Sequence, residues 1–185
     1  MIKNTASEYG LVSKLFHWLM FLIIVGMLIV GFYMSDLENS PFKLELYWWH
    51  KSFGILILTL VALRLSWRLY NIIPLLPSKM HPILKLMAGL SHFVMYIMMA
   101  AMPITGWLMS SAAGFNPSFF GLFELPAIAP TSKDAMHFYK ELHEIGAFFF
   151  IFLITLHILA ALYHHFIRRD TILKRMLPYG KVRHD

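Results

Sequence analysis

Histidine supplies imidazole nitrogens for metal binding and proton transfer. Ten histidines occur in a 185-residue chain that is 58% hydrophobic and only 14% charged. An ionisable side chain inside an apolar span is costly, and it faces a bundle interior with a partner. In "ELHEIGAFFFIFLITLHILAALYHHFIRRD", His143 and His157 stand 14 residues apart. That offset is just under four helical turns, so both side chains share a face, about 21 Å apart along the axis. The same offset links His17 to Gly31, His92 to Gly106 and His50 to Arg64. Two imidazoles from opposing helices, one on either side of a flat ring, are what a b-type haem in a helical bundle requires. Zinc and di-iron bundle sites would instead need carboxylates or thiolates in the spans. The chain has no cysteine and almost no Asp or Glu within its apolar runs. The absence of cysteine also excludes a disulfide scaffold, an iron–sulfur cluster and covalent CxxCH haem attachment. The His164–His165 pair lacks the HxxxH or HxxHH companions of di-iron His boxes, and the methionines spread through all four apolar runs as core filler.

The elements that must carry these histidines are four apolar stretches, at about 15–34, 46–69, 90–110 and 145–167. Each is near the roughly 20 residues needed to span a bilayer. The first follows Lys3 and Lys14 but is too long for a signal-peptide core and has no small-x-small cleavage site after it, so it reads as a retained helix. The expected fold class is all-α: an integral membrane four-helix bundle, with residues 1–185 as a single membrane domain. Twelve of the sixteen Lys and Arg fall on one side of such a bundle, including Lys79, Lys181 and Arg183. Only Lys43, Lys51, Lys133 and Lys140 fall on the other, together with seven of the ten acids. The positive-inside rule puts both termini in the cytoplasm, and the net charge of +6 reads as a membrane signal, with no nucleic-acid partner. Trp48 and Trp49 are expected at the membrane interface. The longest connection, 111–138, faces outward and reads as a partly ordered cap.

Topology then sets depths. Helices 2 and 4 run inward, which puts His50 level with His143 near the outer face. Helices 1 and 3 run outward, which puts His17 and His92 near the depth of His157. Depth alone leaves the inner partner of His157 open between His17 and His92. Gly31 and Gly106 fall at the outer level, with Gly54 and Gly146 close to His50 and His143, where missing side-chain bulk would admit a flat ring; small-residue helix packing is the plainer reading of each. Arg64 falls at the inner level, placed to meet a haem propionate or another buried acid, or to snorkel to the headgroups, which is the expectation for Arg68.

The segments "FHWL", "HKSFGILILTLVALRLSWR", "SHFVMYIMMAAMPITGW", "FGLFELP", "LHEIGAFFFIFLITLHILAALYHHF" and "DTILKRMLP" together resemble the bacterial cytochrome b561 family over nearly the whole chain and in order. The resemblance implies two non-covalent haem b groups, with iron axial ligands His17 and His157 toward the inside and His50 and His143 toward the outside. It implies an inner-membrane protein passing electrons between a periplasmic donor, superoxide in at least some members, and membrane ubiquinone. Imidazole on both axial positions leaves no open site for oxygen, which favours outer-sphere electron transfer. Superoxide, an anion, would meet Lys51, Lys133 or Lys140, and ubiquinone would sit near His157, His164, Arg64 and His92. A second expectation is a haem-bearing membrane-anchor subunit fed by a separate dehydrogenase. A third is a His-rich proton or metal transporter, which would be colourless.

Overall fold

The computed structural model describes residues 1–77 and 80–178; Lys79, Lys181 and Arg183, three of the basic residues used for orientation, lie outside them. Four long helices form, α1 Leu11–Asp36, α2 Pro41–Tyr70, α3 Pro82–Ala112 and α4 Lys133–Phe166, and a short α5 Ile172–Met176 follows. Each of the four is long and apolar enough to cross a membrane. The all-α, four-span bundle expected from the sequence is what the chain builds.

The helices start earlier than the apolar runs because capping residues, not hydropathy, begin them. The Ser40 hydroxyl accepts from the Lys43 N–H at 3.2 Å, and Pro41 fills the first helical position. Ser132 does the same for the Ala135 N–H at 3.3 Å, with Asp134 in the first turn. His81 caps α3 ahead of Pro82. So α3 begins at Pro82 and α4 at Lys133, and the outward connection contracts to 113–132.

That connection holds a small antiparallel hairpin, β1 Ser118–Phe119 with β2 Phe123–Glu124, in which Phe119 faces Phe123. Its turn puts Phe120 at φ 50° and Gly121 at φ 74°. The left-handed region is unfavourable for phenylalanine, and tertiary contacts hold it there. The Phe120 ring packs on Phe53 and Trp49, with centroids 5.2 and 6.1 Å away. The Phe120 N–H donates to Ser52 Oγ at 3.2 Å, while Ser52 donates to the Ser118 carbonyl at 2.7 Å. Ser52 is fully buried, so the hairpin is fastened to α2 two residues from His50. Trp48, expected at the membrane interface, lies against Gly121 of this turn.

Packing runs α1 on α2, α2 on α3 and α3 on α4, whereas α4 does not pack closely along either α1 or α2. The buried core is narrow: Met20, Ile24, Ile57, Val61, Met99 and Phe150. Large apolar side chains such as Leu22, Ile29, Phe148 and Phe152 face outward, as lipid-facing positions do. One core residue per helix falls midway in each 14-residue offset: His17–Ile24–Gly31, His50–Ile57–Arg64, His92–Met99–Gly106 and His143–Phe150–His157. Seven residues are about two turns. An apolar layer therefore separates an outer polar level from an inner one. At the inner end, Trp18 donates to the Met176 carbonyl at 2.9 Å and joins α5 to α1. Asn4 ties the N-terminal segment to Gly10, Ser13 and the Ile72 carbonyl.

Candidate functional site

At the outer level His50 of α2 faces His143 of α4, with ring centroids 6.3 Å apart. At the inner level His17 of α1 faces His157 of α4, with centroids 6.2 Å apart. A metal bonded to two imidazoles at about 2 Å each, with each ring centre about 1 Å further on, holds the rings about 6 Å apart. Both pairs match that spacing, and both bridge helices that do not pack closely against each other. His92 also approaches His157, at 5.4 Å, nearer than a shared metal would set it. Both His17 and His92 therefore lie within ring-contact range of His157.

The donor set fits a macrocycle better than a bare ion. Among the described residues no three His, Cys, Asp or Glu side chains converge on a common point. A tetrahedral metal ion would lack ligands there, whereas haem brings four equatorial nitrogens and asks the protein for two. His50 Nδ1 is buried without a hydrogen-bond partner, as is His165 Nδ1, an arrangement that costs about 1–3 kcal/mol when nothing compensates it.

The glycines at the outer level have a definite task. A Cβ at Gly31 would come within 3.3 Å of His50 Cε1, and one at Gly106 within 3.3 Å of His143 Cε1. Each seats an imidazole edge against the neighbouring helix. Gly54 meets only Met27 and Pro103 at 3.9 Å, and a Cβ at Gly146 would run into Met102 Sδ at 2.8 Å. Both are helix-packing positions.

His143 is further tied to α3. Its Nδ1 lies 3.1 Å from Thr105 Oγ1, and Thr105 donates to the Met102 carbonyl at 2.9 Å. The kink-prone Pro103 lies within this stretch of α3.

Arg64 is turned into the bundle. Its Nη2 is 3.4 Å from His17 Nδ1 and its Nη1 is 3.9 Å from Met20 Sδ. Its guanidinium lies over Tyr96, 5.4 Å from the ring centre, and Arg68 approaches the same ring at 5.7 Å, both within cation–π range. Tyr96, which sequence reasoning did not single out, is thus shared by both arginines. Beyond it an open cleft of about 430 Å³ is lined by Val61, Leu65, Arg68, His92, Tyr96 and Ile97, among others.

His164 lies elsewhere. It borders a second cleft of about 520 Å³ with Arg168, Asp170 and Arg175, and its Nδ1 is 2.5 Å from Asp170 Oδ2. The sequence grouped His92 and His164 near one quinone; the structure puts them in separate clefts. Near the inner end Tyr9 feels Arg68, Tyr96 and Arg175, and burial raises its phenol pKa above the usual value. Of the outer lysines, Lys140 pairs with Glu144 at 3.6 Å across the surface, and Lys51, next to His50, packs over Phe115 at 5.8 Å.

Comparison with known proteins adds to this geometry. Residues 8–179 match the family model for prokaryotic cytochrome b561. The chain is 35% identical over 181 residues to cytochrome b561 homolog 2 of Escherichia coli K12, covering 94% of this chain and 93% of that protein. It is 31% identical over 176 residues to the probable superoxide oxidase CybB of Yersinia pestis, covering 92% and 96%.

Proposed function

This chain belongs to the prokaryotic cytochrome b561 family of haem b-binding electron-transfer proteins and is a multi-pass protein of the bacterial inner membrane; from that premise we propose that it carries electrons inward across the membrane, from a periplasmic donor to ubiquinone, over two haem b groups. His50 and His143 would hold the outer group and His17 and His157 the inner one. The observation that carries this reading is the pair of facing imidazole couples, 6.3 and 6.2 Å apart, set at two levels across an apolar layer. Held by these imidazoles, haem would supply a one-electron iron couple.

The rest falls to the chain's own side chains. Ile24, Ile57, Met99 and Phe150 keep water out between the levels. Arg64 places a permanent positive charge beside His17. The α2–α3 cleft is within the usual volume of a small-molecule site, about 300–1,000 Å³. Its apolar walls suit a quinone ring, with Arg68 and His92 as polar partners for the quinone oxygens. His164, on the second cleft beside Asp170, would serve proton supply rather than hold the quinone ring. On the outer side, superoxide is the donor we favour, because a relative carries the name probable superoxide oxidase and because Lys51 places a cation next to His50. Two superoxide anions each release one electron to become dioxygen. Ubiquinone takes both electrons, with two protons from the inner side, to become ubiquinol.

The test uses the purified chain in sealed, right-side-out vesicles with ubiquinone in the bilayer. Superoxide generated outside should yield ubiquinol without any added subunit, and superoxide confined to the lumen should not. An inert chain that gains activity only with a separate dehydrogenase would replace this reading with that of a membrane anchor.

A further inference from the structure

The two ligands of the outer pair are not held alike, and the difference lies in a hydroxyl. Thr105 Oγ1 has one proton, which it gives to the Met102 carbonyl at 2.9 Å. Its oxygen is then free only to accept, and the atom 3.1 Å away is His143 Nδ1. Neutral imidazole carries one N–H and one lone pair. If Nδ1 is the donor to Thr105, the lone pair is on Nε2. Next to Thr105, Gly106 lacks the Cβ that would stand 3.3 Å from Cε1 and 3.6 Å from Nδ1 of the same ring. The Thr105–Gly106 dipeptide therefore both admits the His143 ring and fixes which nitrogen is turned away from α3. None of the other three ligand candidates has such an acceptor among the described residues. His50 Nδ1 has no partner, and His17 Nδ1 faces the Arg64 guanidinium, which can only donate.

We propose that Thr105 is a positioning residue for the outer haem: its hydroxyl holds His143 in the Nδ1–H tautomer and orients Nε2 toward the iron. This rests on the ligand assignment above. A hydrogen-bond acceptor at the distal nitrogen of a metal-bound imidazole fixes the ring and raises its basicity. A more basic ligand favours the oxidised iron, so Thr105 lowers the potential of the outer haem relative to a site without it. The chain thereby favours electron departure from the outer level. The Met102 carbonyl also borders His143 and is the rival acceptor.

The experiment compares T105V and T105S with the unchanged holoprotein, by haem content, reduced-minus-oxidised spectra and potentiometric titration. T105V removes the hydroxyl at nearly constant volume, and T105S restores it. The expected result is an upward shift of the outer midpoint in T105V with the inner midpoint unmoved, and return to the original value in T105S. Loss of the outer haem in T105V but not in T105S supports the proposal equally. An outer midpoint that does not move in T105V overturns it and leaves Met102 as the acceptor; so does a T105S variant that behaves like T105V. H143A separates the two levels of inference. If it keeps both haems, the ligand assignment fails; if it loses the outer one while T105V changes nothing, only the role of Thr105 fails.

Discussion

Arg64 is turned into the bundle at the level of the inner histidines. Its 14-residue offset from His50 placed it at the inner level, and in the structure its guanidinium stands 3.4 Å from His17 Nδ1. A fixed positive charge there favours the reduced inner site. Replacing Arg64 with Met should lower the inner haem midpoint and leave the outer one in place. An interaction of about 1 kcal/mol corresponds to about 40 mV for one electron, and a potentiometric titration resolves that. A shift of the outer midpoint instead would show that Arg64 serves the other level. The histidines and Arg64 were legible because an ionisable group in an apolar run stands out and helical periodicity gives its face. Thr105 and Tyr96 were not, since a Thr or Tyr in a span is unremarkable until a partner on another helix is known. Gly31 and Gly106 stand out by their 14-residue offset from His17 and His92, but the imidazole edges they lie against, His50 and His143, belong to other helices and are visible only in the fold.

At the scale of elements, hydropathy located all four helices but not their starts. Ser40, His81 and Ser132 begin helices in polar sequence, where a hydropathy window has no signal, so hydropathy gives an outward connection of 111–138 where the fold has 113–132. The hairpin within it was also out of reach. Strands of two residues have no pattern of their own, and this pair depends on a buried hydroxyl of α2. Changing Ser52 to Ala leaves the Ser118 carbonyl and the Phe120 N–H without that partner. The expected cost is about 1–3 kcal/mol, felt locally. Residues 118–124 should exchange amide hydrogens faster and be cut sooner by protease, with helix content unchanged. Unaltered protection of the hairpin would mean that the Trp49, Phe53 and Phe120 rings hold it without Ser52.

Across the whole molecule, one repeat organises the four spans. Each helix carries a polar or glycine position, an apolar core residue seven positions on, and a second such position seven further on. Because neighbouring helices run in opposite directions, these positions stack into an outer level, a dry middle and an inner level. The sequence carries that layering in full; what it lacks is lateral placement, which decides that α4 stays apart from α1 and α2 and leaves room between the facing imidazoles. We propose that those two gaps hold two haem b groups, the outer on His50 and His143 and the inner on His17 and His157. Haem quantification with reduced-minus-oxidised spectra on the purified chain, H50A and H143A tests it most directly. Two haem b per unchanged chain are expected, and in each variant loss of the outer low-spin haem with the inner one retained. Two intact low-spin haems in both variants would contradict it.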